Sequence, residues 1–173
     1  EVLPGENSGF GIGDITQSLF FSPKASDPIW GVGPVFVLPM ATDELMGGEK
    51  WGAGPTGVLL KQSGPWTYGM LANHVWDFAG DDDRADINQT FMQPFVAYTT
   101  PTAWTYSMNL ESTYNWEEDE ASVPFNAGIA KLIKVGGQAI SLQGGAGYWL
   151  DSPDDAGPEG LRFRTSITFL FPK

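Results

Sequence analysis

Side chains able to do covalent chemistry are scarce in this sequence. It contains one histidine, His74, and no cysteine, which removes thiolate nucleophiles, disulfide frameworks and cysteine-held metals. His74 shares its alternation with Trp76 and Phe78, so a general base there would stand among apolar neighbours, and it reads as a polar residue at an interface. There is no Gly-x-Ser-x-Gly segment, and no histidine is left over for a triad or a zinc cluster. The run Asp81-Asp82-Asp83-Arg84-Ala85-Asp86-Ile87-Asn88 supplies hard oxygen ligands, with Asp81, Asp83 and Asp86 the candidates for calcium. It lacks the spaced acids and distal Glu of an EF-hand loop, so a solvated acidic loop is the simpler account. A looser role, recruitment of divalent cations by several acidic loops together, stands beside it. The glycine groups Gly31/Gly33, Gly52/Gly54 and Gly144/Gly145/Gly147 precede no helix pattern and cannot form a phosphate cradle. No catalytic residue, no cofactor and no enzymatic activity is expected.

The elements that would carry the remaining polar residues are strands. From Trp104 to Trp116 the apolar or aromatic Trp104, Tyr106, Met108, Leu110, Tyr114 and Trp116 alternate with Thr105, Ser107, Asn109, Glu111, Thr113 and Asn115. A helix would smear those two sets around its circumference, whereas a strand sends them to opposite faces. Trp66, Tyr68, Met70, His74, Trp76 and Phe78 alternate in the same way against Thr67, Leu71, Asn73 and Asp77, and Leu161, Phe163, Ile167, Phe169 and Phe171 alternate against Arg162, Arg164 and Ser166. Weaker alternation covers residues 13–22, 29–40, 51–62, 90–100, 123–135 and 140–150. The count is roughly nine strands of about 10 to 13 residues, longer than globular strands and close to those of membrane barrels. Pro34, Pro55, Pro94 and Pro124 fall inside these runs and predict bulges or strand ends, because proline donates no ladder bond.

Composition agrees with that class. The chain has 173 residues, 21 acidic and 9 basic side chains, a net charge of −12, 13% aromatics and only 17% charged residues. No basic surface for nucleic acid can be assembled from so few cations. No apolar run reaches the 18 to 20 residues of a membrane helix, so any span must be a β-barrel. The length suits one domain, residues 1–173.

Linkers alternate in character. Those around residues 24–27, 62–65, 100–102 and 135–138 are short and nearly free of acid, while 41–50, 80–88, 117–121 and 151–160 hold 15 of the 21 acids. In an up-and-down meander the second set gathers at one end, matching short periplasmic turns and longer extracellular loops. The aromatics Trp66, Tyr68, Trp104 and Tyr106 would then form one girdle and Trp76, Phe78, Tyr114 and Trp116 the other. At about 3.3 Å per residue and about 45° tilt, Trp104 to Trp116 covers on the order of 28 Å, against an apolar band of about 25 Å. The lumen-lining candidates are Asn73, Asp77, Gln93, Asn109, Glu111, Asn115, Asn126, Gln143, Arg162, Arg164 and Ser166. They would line a polar conduit that tunes selectivity, or fill a narrow barrel with ion pairs and hydrogen bonds.

Several stretches resemble a known family: Gly11-Ile12-Gly13-Asp14-Ile15, Trp30-Gly31-Val32-Gly33-Pro34, Lys50-Trp51-Gly52-Ala53-Gly54-Pro55, Gly64-Pro65-Trp66-Thr67-Tyr68-Gly69, Ala72-Asn73-His74-Val75-Trp76 and Leu161-Arg162-Phe163. The family is the group of outer-membrane β-barrels associated with the meta-cleavage pathway of phenol degradation, often labelled transporters or neuromedin U. The resemblance implies a transmembrane antiparallel barrel in the outer membrane of a Gram-negative bacterium, passing small, often aromatic, compounds. It also implies that several strands preceding the Gly11–Ile15 segment are missing here, so that the nine strands belong to a barrel of roughly twelve. The expected partners are outer-membrane lipid, small-molecule solutes, divalent cations at the acidic loops and a second copy of the chain. A non-transporting structural barrel acting through its acidic loops, and a soluble secreted barrel that binds ligand inside, are the competing assignments.

Overall fold

The computed structural model describes residues 12–42, 47–153 and 158–171. Asp43, Glu44, Asp154 and Asp155 of the acidic linkers, Gly11 and the terminal Pro172-Lys173 lie outside them. The described residues contain no helix and form one antiparallel sheet of eleven strands: β1 (Ile15–Ser18), β2 (Ile29–Leu38), β3 (Lys50–Ser63), β4 (Trp66–Gly80), β5 (Asn88–Thr99), β6 (Trp104–Leu110), β7 (Ser112–Asn115), β8 (Glu120–Ser122), β9 (Pro124–Val135), β10 (Gln138–Trp149) and β11 (Leu161–Leu170). Each neighbour in space is a neighbour in sequence, apart from the short β7–β8 hairpin that extends β6 and β9. β1 and β11 are the two edges, and no described pairing joins them, so the sheet is not closed.

Eleven segments occupy nine ladder positions, and the prolines explain the difference. Leu110 faces Phe125 and Thr113 faces Ser122, which is one unbroken register. Between them the Glu111 amide donates to the Pro124 carbonyl at 3.0 Å, and Pro124 has no N–H to return a bond. On the other side, pairing with β5 stops at Phe95↔Asn109 and resumes at Met92↔Ser112, leaving out Pro94. The strand expected over 104–116 is thus cut at Glu111 by a proline on each flank. Pro55 does the same to β3 and β4, whose pairing runs from Ala53↔Trp76 to Thr56↔Asn73 with the pairs between them missing. At Pro34 the backbone still accepts from Leu19 at 3.0 Å, but β1 ends at Ser18, short of the span expected to reach residue 22.

Register aligns the side chains in rows. Trp66, Tyr98, Tyr106, Ile129, Gly144 and Thr165 lie across six strands on one face, and Tyr68, Val96, Met108, Ala127, Ala146 and Phe163 lie in the next row. This aromatic face holds six of the seven tryptophans, Trp30, Trp51, Trp66, Trp76, Trp104 and Trp116, every one of them exposed. The chain exposes 12157 Å², whereas a compact monomer of 18.7 kDa would expose about 8,300 Å². Val35 and Val75 are the only buried large apolar side chains among the described residues, while 33 others are exposed. A single sheet with no second layer leaves its apolar face uncovered, which soluble monomers avoid.

The meander also sorts charge. The linkers before β3, β5, β8 and β11 share one end and carry the acids, while Lys24, Lys61, Lys131 and Lys134 cluster towards the short-turn end. There the β9–β10 hairpin turns on Gly136 and Gly137, both at positive φ, as a tight two-residue hairpin requires.

Candidate functional site

The face opposite the aromatic one presents a polar network built by β5, β6, β9 and β11. Asn109 and Asn126 are directly paired across β6 and β9, and the Asn126 amide donates to Asn109 Oδ1 at 2.7 Å. Arg162 reaches across β10 to them, donating from Nε and Nη2 to Asn126 Oδ1 at 2.9 and 2.6 Å and from Nη2 to Glu111 Oε2 at 2.7 Å. It can cross because Gly147, opposite Arg162 on β10, has no side chain: a Cβ there would lie 2.4 Å from Asn126 Oδ1 and 2.8 Å from Arg162 Nε. Glu111 is half-buried, accepts from Gln93 Nε2 at 3.2 Å and lies 3.5 Å from Arg164. The break at Glu111, imposed by Pro94 and Pro124, falls where its carboxylate meets two guanidiniums.

Eight of the lumen candidates therefore come together or adjoin: Gln93, Asn109, Glu111, Asn126, Arg162 and Arg164 in the network, with Gln143 alongside, accepting from Ser166 at 3.3 Å. Trp149 lies against Arg162, 5.1 Å from ring centroid to guanidinium carbon. The cavity beside the network, between Asn109, Gln143, Gly147 and Arg164, measures about 40 Å³. Chemically, the arrangement offers a half-buried carboxylate and an exposed guanidinium, Arg164, but no activated nucleophile or acid–base pair.

The other candidates do not join it. Asp77 belongs to a second site at the acidic end, where its Oδ1 accepts from the Ile87 amide at 3.0 Å and Oδ2 lies 3.6 Å from Lys50 Nζ. Asn115 serves the β7–β8 turn, donating to Glu118 and accepting from the Glu117 amide. Asn73 stands opposite Thr56 and Phe91, away from both. Of the calcium candidates, Asp86 binds Lys50 at 2.8 Å and Asp81 caps the Asp83 amide at 2.9 Å. Among the described residues no three His, Cys, Asp or Glu side chains converge to hold a metal ion.

Lys50, which with Arg84 supplies the cations of the acidic linkers, has a side chain just 5% exposed and pins the 81–87 loop to the start of β3. Beside it Arg84 grips Glu49 through Nε at 3.2 Å and Nη2 at 2.9 Å, and this hydrogen bond holds the Glu49 carboxyl below its ordinary range. Trp149 was also missed. Its signal was its alternation with Gln143 in β10, which sends it to the network side.

The aromatic candidates sit where alternation put them. Trp66 packs edge-on to Tyr98 at 4.9 Å near the short turns, and Tyr114 packs on Trp116 at 4.8 Å near the acidic loops. His74 contacts Trp76 at 4.0 Å and bonds Thr90 Oγ1 through Nδ1 at 2.7 Å. Thr90 Oγ1 also accepts from Trp116 Nε1 at 2.8 Å, and His74 Nε2 is buried without a hydrogen-bond partner among the described residues. The ring sits within an aromatic belt, and no carboxylate among the described residues orients it as a base. No protein-family model, no curated protein and no solved structure matches this chain.

Proposed function

We propose that this chain is the wall of an outer-membrane β-barrel that passes or holds small molecules, aromatic ones among them, without covalent catalysis. One observation carries the proposal: a single sheet with an exposed aromatic belt towards each end of one face and the Glu111–Arg162–Asn126 network on the other. Lipid satisfies the first face and a polar lumen the second. The separation of charge adds support, since lysines at the short-turn end suit anionic headgroups and acids suit the longer outer loops. The resemblance to the phenol meta-cleavage barrels points to the same role, and closure would take place at the edges of β1 and β11, directly or through further strands.

Recording single-channel currents in planar bilayers tests this. Replacing Arg164, 67% exposed beside the network, with Glu shifts the reversal potential towards cation selectivity if the face lines a conduit. An absence of conductance in the parent, or an unchanged reversal potential in Arg164→Glu, removes the conduit. The second assignment, a barrel whose interior is closed by its own side chains and which acts through its loops, draws on the cavity of only about 40 Å³ beside Arg162.

A further inference from the structure

We infer that the aromatic face carries a binding site for one glycerophospholipid of the leaflet at the short-turn end, its phosphate at Lys131 and one acyl chain lying over Ala127, Gly144 and Ala146. The inference rests on the membrane assignment above and adds a defined ligand to it.

The exposed face is not uniformly ridged. Between β4 and β11 it sinks into a depression of about 620 Å³. The small residues Ala127, Gly144 and Ala146 line it between Tyr106 and Met108 of β6 and Phe163 of β11, and it continues over Val96 and Tyr98 to Trp66. A Cβ added at Gly144 would meet nothing within 4 Å, so the space is open down to the backbone. One side-chain step beyond Ile129, at the short-turn side of the depression, stands Lys131, facing Trp104 on β6 and Leu142 on β10. Its ammonium lies 4.8 Å over the Trp104 ring and donates one bond to the Thr102 carbonyl at 2.5 Å. An ammonium has three donors, and among the described residues Lys131 has no carboxylate partner. A cation held at an apolar surface next to an aromatic ring calls for an anion, and phosphate is the anion that leaflet supplies.

Dimensions agree. From Lys131 to Phe125, beyond the far edge of the depression, six residues cover about 14 Å along the membrane normal at about 45° tilt, close to half the apolar band of about 25 Å. A chain anchored at Lys131 therefore stays within one leaflet. A second copy seated on the same depression would cover Lys131 without an answering charge, because the charged residues on the aromatic face of the strands are Lys61 and Lys131, both cations.

Native mass spectrometry of the detergent-purified full chain mixed with phosphatidylglycerol decides the matter. The parent retains one lipid per chain, and Lys131→Gln and Ala146→Trp each lower the retained fraction about tenfold, the scale of one lost charge-assisted contact. Lys61→Gln, at a cation of the same face on β3 that does not line this depression, retains the lipid, and Lys131→Arg restores it. Lys131→Gln removes an exposed-face charge and leaves the wall packing alone, so it remains informative where Ala146→Trp fails to fold. Equal retention by Lys131→Gln and the parent, or equal uptake of uncharged diacylglycerol, overturns the site. A chain that stays monomeric in buffer without detergent overturns the membrane assignment itself, which separates the two failures.

Discussion

The non-aromatic face is built in two ways. Along β2, β3 and β4 it is tightly packed: Val35 is 0%, Thr56 3% and Val75 6% exposed. Gly52 sits between Val37 and Val75, where a Cβ would come 2.7 Å from Val75 Cγ1, and a Cβ on Gly54 would strike the His74 carbonyl oxygen at 1.7 Å. Along β9, β10 and β11 the same face is polar, organised by Arg162, Asn126, Gln143 and Arg164 around a small cavity, and a Cβ on Gly145 would come 2.7 Å from the Ala127 carbonyl oxygen. The backbones approach more closely in the first wall, and the second adds a network of side-chain hydrogen bonds. The contrast teaches that the tightest packing and the densest side-chain hydrogen bonding are divided between strands of a single sheet.

The largest effect should come from the tight wall. Gly54→Ala forces β3 away from β4 and is expected to cost about 3 kcal/mol in urea unfolding of the detergent-folded chain. A loss below about 1 kcal/mol would erase the difference between the walls. In the polar wall, Arg162→Met leaves Glu111 and Asn126 half-buried without their main donor and is expected to cost about 2 kcal/mol, discounted for partial exposure. Gly144→Ala lies on the aromatic face, outside both walls: with nothing within 4 Å of the added Cβ, it should stabilise by about 0.5 kcal/mol through the restricted unfolded chain. Destabilisation there would mean that the aromatic face is packed at Gly144, against the open space seen there.

The smallest effect lies outside both walls, at Glu49. Its carboxyl titrates below the unfolded value of 4.5 because Arg84 donates to it. The pair's contribution is therefore fully present above about pH 4.5 and is lost as pH falls through the depressed folded value. Arg84→Gln should flatten the acid limb of the stability profile in that window and leave the profile above pH 6 parallel to the parent's. An unchanged acid limb would mean that the loop clasp contributes nothing.

How legible this was in the sequence differs by feature. Side-chain alternation sent Trp104, Tyr106 and Trp116 to one face and Asn109 and Glu111 to the other, since two-residue periodicity is local. The prolines were legible in part: Pro124 opens a strand as expected, whereas β2, β3 and β5 continue through Pro34, Pro55 and Pro94 and lose pairing on one flank only. Partnership across the sheet was not legible: Glu111 and Arg162 are 51 residues apart, and their meeting depends on the register of β6, β9, β10 and β11 together, which no local pattern encodes. The burial of Lys50 was not legible for the same reason, because its partners Asp77 and Asp86 arrive on the next strand and the loop after it. Among the described residues β1 and β11 end as edges with no pairing between them, and edge pairing is as non-local as register.

The central claim, that lipid covers one face and water the other, can be measured directly because the chain has no cysteine of its own. Single cysteines placed at 104 through 109 in liposome-inserted protein should alternate in reaction with a membrane-impermeant maleimide. Positions 105, 107 and 109 are predicted to label, while 104, 106 and 108 stay protected and are quenched by acyl-chain nitroxides. Uniform labelling of all six, or protection of the odd positions with labelling of the even ones, would contradict the account.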